Sequence, residues 1–288
     1  MGMNNRLLRP MASGHPEALA WRTAVIANGG SVSGTTLNAV SKFCRDIDAA
    51  GIRDKFYRLN LFAGDNLNAA LVPLYRAESR TASIRGNTTD TNNNFVSGDF
   101  NNTGSSSGLK ADGTSKYLNT GLSANAVAAS NAHLGVGLRA TESRSAAFRT
   151  VIGTYGGTSF TTNSLEIALH GTTSRTGSAF FTRFGTTSDC AGDNIGGATG
   201  ALATGDIVAA WPSMYRNGLA TGATATTSTN YPAAHSIYVF ANNNGGASVI
   251  NYTDARVSWY SIGLTMTAAQ AVSFYNAIAA FNTALSRT

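Results

Sequence analysis

Charge is what this chain has least of. Lys, Arg, Asp and Glu make up 12% of its 288 residues, about half the ~25% usual for soluble domains. That argues against a helical bundle, whose exposed faces are normally rich in Glu and Lys. Cysteine occurs only twice, as Cys44 and Cys190, far apart and in unlike contexts. No disulfide framework and no CxxC zinc spacing follows from such a pair. Cys44 falls within a helical pattern and reads as a small buried apolar residue. No apolar run approaches the ~20 residues of a membrane helix. Residues 1–21 lack the continuous apolar stretch of a secretory signal. Synthesis in a cytoplasm is therefore expected, with no membrane span and no need of an oxidising compartment.

Basic clusters are also missing. The net charge is +6, from 21 basic and 15 acidic residues, a balance that could favour an anionic partner. The basic residues are scattered, and Arg6 with Arg9 is the nearest approach to a cluster. A solvated basic surface is expected rather than a nucleic-acid interface.

What the chain has is apolar material, 43% of residues, together with 31 glycines and abundant Thr, Ser and Asn. Gly and Asn accept the positive φ of tight turns, so this composition suits short strands joined by many turns. Residues 1–30 read as an irregular arm that a neighbouring surface would order. Leu37, Val40, Phe43, Cys44 and Ile47 recur at helical spacing and predict a helix over 35–50. Ser33 or Thr35 would cap it, and Gly51 would end it. From residue 57 the period changes to two. Strands are predicted at 57–62, 117–122, 133–139, 148–155, 164–169, 179–184, 207–215, 236–241 and 255–262. Asn217-Gly218 is the sharpest hairpin signal. Thr267 and Gln270 have capping-box spacing at the start of a second helix, 267–285. A single helix cannot bury its apolar face alone, so this one must dock on the sheet or on the first helix.

Three passages resemble the concanavalin A-like, laminin G-like jelly rolls. They are the stretch from Gly108-Leu109-Lys110 through Asp112-Gly113 to Tyr117-Leu118-Asn119-Thr120-Gly121, the hairpin Tyr215-Arg216-Asn217-Gly218, and the closing strands around Tyr238-Val239-Phe240 and Trp259-Tyr260-Ser261-Ile262-Gly263. Leu264-Thr265 with Gln270 then matches the helix start that follows in that family. The likeness spans about residues 105–288. The stretch from Leu37 through Tyr75 is similar to the leader of laminin G-like proteins of tailed phages and prophages. The resemblance implies a two-sheet antiparallel jelly-roll sandwich over 57–288, preceded by an N-terminal arm and helix over 1–56 that makes assembly contacts. It further implies a structural or adhesive virion protein, in capsid decoration or a tail, with other virion proteins or its own copies as partners.

The same fold class contains glycoside hydrolases, which need two carboxylates about 5–10 Å apart. No Glu-x-Asp pair shares a strand face here. Glu166 is alone in its strand, Glu142 lies near a turn, and Asp189 and Asp193 fall in a Gly-rich loop. His15, His133, His170 and His235 accompany no Gly-x-Ser-x-Gly elbow and show no i, i+4 zinc spacing. The Gly-rich stretches at 153–157 and 192–197 lack the Lys and helix of a phosphate loop. The chain is thus expected to carry no catalytic machinery and no cofactor. Two oxygen-rich clusters, Asp90 with Asn92, Asn93 and Asn94, and Asp189 with Asp193 and Asn194, have Ca²⁺-type chemistry. The default reading of such loop asparagines is turn geometry, and no metal is expected. For a cell-surface sugar, Tyr155, Trp211, Tyr231, Asn242, Asn243 and Asn244 offer aromatic faces and amides. Against this, Trp211 and Trp259 lie in strand patterns that suit the core. A carbohydrate-binding module, or a hydrolase with an unrecognised site, is the alternative to the virion role.

Overall fold

The computed structural model describes residues 14–76, 89–126, 131–140, 149–156, 164–169, 180–185, 189–192, 205–210, 212–221 and 234–287. Helices α1 (Pro16–Ala27) and α2 (Gly34–Ala49) come first, then strand β1 (Phe56–Asn60) and the short α3 (Leu67–Ala70). Next come β2 (Thr91–Asn93), β3 (Phe100–Asn101), β4 (Gly108–Lys110), β5 (Tyr117–Ser123), β6 (His133–Ala140) and β7 (Arg149–Tyr155). They are followed by β8 (Ser164–Leu169), β9 (Phe180–Gly185), β10 (Asp189–Gly192), β11 (Gly205–Ala210), β12 (Ser213–Arg216) and β13 (Leu219–Ala220). The chain closes with β14 (Ser236–Val239), β15 (Asn242–Asn244), β16 (Ser248–Ile250), β17 (Arg256–Gly263) and α4 (Ala268–Ala284).

The protein is mainly β, with two sheets and a C-terminal helix. Sheet A runs β13-β12-β11-β6-β17-β4-β3, with β1 also on β17. Sheet B runs β10-β9-β8-β7-β14-β5-β2, with β15 and β16 joined through β7. The paired strands are antiparallel apart from β15, which lies parallel to β7.

Two apolar clusters explain this layering. Leu134, Val136 and Leu138 of β6 pack with Leu165, Ile167 and Leu169 of β8 and with Ile237 and Val239 of β14. Here period-two alternation holds: on β5, Leu118, Thr120 and Leu122 are buried while Tyr117, Asn119 and Gly121 turn outward. The second cluster joins Phe56, Val208, Ala210, Tyr215 and Trp259 to Phe43, Ile47, Phe274, Ile278 and Phe281 of α2 and α4. Sheet A is therefore the middle layer, covered on both faces. A strand covered on both faces loses its alternation, and β17 is buried at every position from Val257 to Gly263. Phe274 anchors the helical side, with its ring 4.9 Å from Phe56 and 5.2 Å from Trp259.

The helices follow their caps. Ser33 Oγ accepts from the Thr36 N–H at the start of α2, and Gly51 takes φ +64° just past its end. Thr267 and Gln270 form the reciprocal capping box of α4. The N-terminal arm is corrected from residue 16 onward: it is helix α1, with His15 as the cap and Pro16 at the first position, where a missing N–H is harmless. Ala18, Trp21 and Val25 form its buried stripe, and Trp21 Nε1 donates to the Val72 carbonyl at 2.9 Å. Residues 1–13 lie outside the described residues. The strand predicted over 207–215 is two strands of a hairpin ladder, β11 and β12. Asn217 and Gly218, with φ +49° and +78°, then turn the chain into β13.

One row across sheet A accounts for the Gly-x-Gly of β6. Trp259 pairs with Gly137 on one side, and Gly137 pairs with Asp206 on the other. The indole lies across the glycine and donates from Nε1 to Asp206 Oδ1 at 2.8 Å. Arg139 Nη2 reaches the same oxygen at 3.0 Å. Burial raises the Asp206 pKa, and Arg139 and the indole N–H counter it. A Cβ on Gly137 would sit 2.3 Å from Trp259 Nε1, so Gly137→Val must displace the indole. A loss of roughly 1–3 kcal/mol is expected from such overpacking, together with a red shift of tryptophan emission as the buried Trp259 indole is displaced. Unchanged urea midpoints would contradict this packing.

Candidate functional site

Among the described residues of sheet B, the outward positions of β5 and β14 bring aromatic side chains together. Val239 pairs with Leu118 and Tyr238 with Asn119, so alternation turns Tyr117, Asn119 and Tyr238 to one face. Tyr252, in the loop before β17, completes the group. Tyr117 and Tyr238 lie with centroids 4.9 Å apart at 33°, and Tyr117 and Tyr252 at 6.2 Å and 66°. All three rings are half-buried, presenting an aromatic surface that is anchored yet open. Partial burial raises the phenol pKa of Tyr238 and of Tyr252, and the neighbouring Tyr117 adds to it. Their hydroxyls therefore stay neutral, able to donate and accept.

The rim is rigid. Asp112 Oδ1 accepts from the N–H groups of Thr114, Ser115 and Lys116, and Oδ2 from Ser115 Oγ. Slight burial acts to raise the Asp112 pKa, but these bonds hold it well below the usual carboxylate range. Arg149 Nη1 donates to the Tyr252 carbonyl at 3.1 Å, fixing the loop that carries that ring. Gly113 lies between them at φ +74°, where a Cβ would meet Arg149 Nη1 at 2.7 Å. Lys116 Nζ is held by Asp99 at 2.7 and 2.8 Å.

Of the residues chosen from the sequence, Tyr155, Asn242, Asn243 and Asn244 are brought together by the parallel pairing of β7 with β15. Trp211 and Tyr231 lie outside the described residues. Tyr155 is 2% exposed, and its hydroxyl accepts from Asn251 Nδ2 at 3.3 Å, one residue before Tyr252. Asn242 and Asn243 are buried. Asn242 Nδ2 donates to Glu166 Oε2 at 3.1 Å, and Thr150 Oγ1 reaches the same oxygen at 3.2 Å. Asn243 Nδ2 donates to the Ser236 carbonyl and Asn244 Nδ2 to Ser248 Oγ. Phe240, at φ +73°, ends β14 short of the predicted 241 and turns the chain into β15. The tyrosines themselves were passed over in the sequence. Their signal was present, since outward aromatics at Tyr117 and Tyr238 interrupt an otherwise Asn- and Gly-rich polar face. Which strands adjoin could not be read from it.

Asp90, from the first of the oxygen-rich clusters, lies inside the fold. Asp90 is 2% exposed and occupied by Arg58, Asn60 and Tyr260. Asn92 makes a closed exchange with the Phe95 backbone, and Asn94 adopts φ +68°, both as turn asparagines do. Asp193 and Asn194 lie outside the described residues. Glu166 is the single acidic residue of β8, and the loop placement of Asp189 is corrected, since it opens strand β10: Glu166 pairs with Arg183, and Arg183 with Asp189. The backbone register thus sets Glu166 and Asp189 two strands apart, roughly 10 Å at ordinary strand spacing. Spacing along one strand could not show this.

No protein-family model matches the chain, and no curated protein matches it. Among solved structures it is similar to the Trypanosoma rangeli sialidase in complex with 2,3-difluorosialic acid, at 9% identity and a TM-score of 0.46, covering 83% of this chain and 39% of that one. The same sialidase with the inhibitor DANA gives 11% identity and a TM-score of 0.45, over 83% and 38%. The NanB sialidase from Streptococcus pneumoniae gives 13% and 0.40, over 56% and 26%. The chain spans about two fifths of the length of the Trypanosoma enzyme. These neighbours are named as sialidases, against the expectation of a chain that is no enzyme; likenesses of this degree assign this chain no activity. Neither a phage link nor a concanavalin A-like family is shown by these matches, and the likeness at these scores goes no further than a β-rich architecture.

Proposed function

We propose that this protein binds glycans through the Tyr117, Tyr238 and Tyr252 platform of sheet B. The observation that carries this reading is three half-buried rings grouped on one sheet face, bordered by fixed polar groups. Sugar rings present apolar C–H faces and ordered hydroxyls, which suits an aromatic floor with a few placed hydrogen-bonding groups. The rings are held by strand pairing and by Arg149, so little ordering entropy opposes binding. Two sheets in face-to-face contact support the finer assignment of a lectin-like jelly roll, and a cell-surface glycan is the partner proposed.

Screening on an array of neutral and acidic glycans, followed by calorimetry, tests the proposal. Tyr238→Ala and Tyr117→Ala are each expected to weaken binding about 10- to 100-fold, or about 1.4–2.8 kcal/mol, with an unchanged fold by circular dichroism. Equal affinity in both variants would remove the platform from the reading. A second reading, hydrolysis, is favoured by the register that sets Glu166 two strands from Asp189. Sugar release by the purified protein, lost in both Glu166→Gln and Asp189→Asn, would support it. Release undiminished in either variant would exclude this row.

A further inference from the structure

We propose a zinc site that pins α1 to α2, formed by His15, Glu17 and Cys44. One ligand atom from each of the three lies within 4.8 Å of the others. Nitrogen, oxygen and sulfur donors in one place suit a tetrahedral Zn²⁺, with the fourth position left to water.

Several independent features of the site point inward. His15 Nε2 contacts Asp48 Oδ2 at 2.8 Å. With Nε2–H donating to that carboxylate, Nδ1 keeps its lone pair, the arrangement by which carboxylates orient metal-binding histidines. That lone pair accepts the Glu17 N–H at 3.3 Å, the capping bond of α1, and a metal would take the place of this cap contact. Glu17 Oε1 is taken by Arg53 at 2.5 Å, which leaves Oε2 buried with no hydrogen-bond partner among the described residues. Cys44 is fully buried. The Tyr75 hydroxyl, on a residue 1% exposed, faces Cys44 and Glu17 and has the Cys44 thiol as its hydrogen-bond partner. Buried polar atoms without partners are rare and call for an explanation. A metal supplies one for Glu17 Oε2 by binding it, and Tyr75, already beside Cys44, then donates to the metal-bound thiolate. As the sulfur–zinc bond forms, the thiol proton leaves to solvent. Arg53, stacked 3.8 Å from the Tyr75 ring centroid, balances the remaining negative charge together with the ion. No local motif announces such a site, because the ligands come from two helices 27 or more residues apart.

The test uses the full chain without an affinity tag. After dialysis against zinc and then against buffer, one equivalent of zinc is expected by elemental analysis. Cobalt substitution should give thiolate-to-metal charge transfer in the near ultraviolet and the intense visible bands of a tetrahedral site. Cys44→Ser should abolish the charge-transfer band, and His15→Asn or Glu17→Gln should weaken zinc binding at least 10-fold. The last two substitutions lie at partly exposed positions outside the apolar clusters, so a folding failure of Cys44→Ser leaves the test intact. Absence of stoichiometric metal, cobalt spectra without thiolate charge transfer, or zinc retained equally by His15→Asn and Glu17→Gln would each overturn the proposal.

Discussion

Asp90→Ala is expected to lower the unfolding free energy by about 3–5 kcal/mol, read from the urea midpoint at constant slope. Asp90 faces a guanidinium that is itself fully buried. Arg58 Nη2 and Nε lie 2.7 and 3.1 Å from Asp90 Oδ1, and the Tyr260 hydroxyl donates to the same oxygen at 2.6 Å. Burial disfavours the Arg58 cation, but Tyr260 and Asp90 outweigh it and hold Arg58 protonated. Burial also raises the Tyr260 phenol well above its ordinary range, and the adjoining Asp90 charge adds to this. Removing the carboxylate leaves a cation that no water screens. An exposed pair such as Lys42–Asp46 contributes far less, about 0.2–1 kcal/mol. Asn60 retains the Ala70 carbonyl when Asp90 is lost, but the amide N–H that Asp90 Oδ2 accepted is left buried without an acceptor and adds to the loss. The double variant Arg58→Met with Asp90→Leu should recover most of the loss, since an apolar replacement removes both charges together. A single-variant loss below 1 kcal/mol would show that the pair is not the compensation described.

The second large effect is in pH. His133 is fully buried, with Nδ1–H donating to the Leu264 carbonyl at 2.7 Å and Nε2 accepting from Ser261 Oγ at 3.1 Å. Burial pushes its pKa from 6.5 down to about 4; the Leu264 carbonyl opposes this and Lys55 adds to it. In the unfolded chain the imidazole protonates near 6.5, so between pH 6.5 and 4 the unfolded state binds the extra proton. Stability from this group is complete above about pH 6.5, declines as pH falls to about 4, and levels off below. The expected loss across that window is about 3 kcal/mol. His133→Asn, which can still donate to Leu264, should flatten this part of the stability–pH curve. A slope identical to that of the native protein would sink the assignment.

The helical ends were readable because capping chemistry is local. Thr267 and Gln270 act within one turn, as do Ser33 and Thr36. Strands such as 164–169 were readable from their residues, and Asn217-Gly218 declared its own turn. The first helix was missed because Pro16 and Gly14 read as breakers, whereas a proline at the first helical position is tolerated and the stripe Ala18, Trp21, Val25 is short. Arg58 and Asn60 looked like the solvent side of an alternating strand. They are buried instead, because a partner 30 or more residues away compensates them.

The sequence by itself determined a β-rich chain, its turns, and its two well-capped helices, since these depend on side chains within a few residues of one another. Only the tertiary structure decided which strands adjoin. With that came the three-tyrosine face, the Trp259–Gly137–Asp206 row, the buried Arg58–Asp90 pair and the meeting of His15, Glu17 and Cys44. Each of these joins residues from separate elements, and the free energy that selects one pairing over another belongs to the packed layers rather than to any local run of sequence.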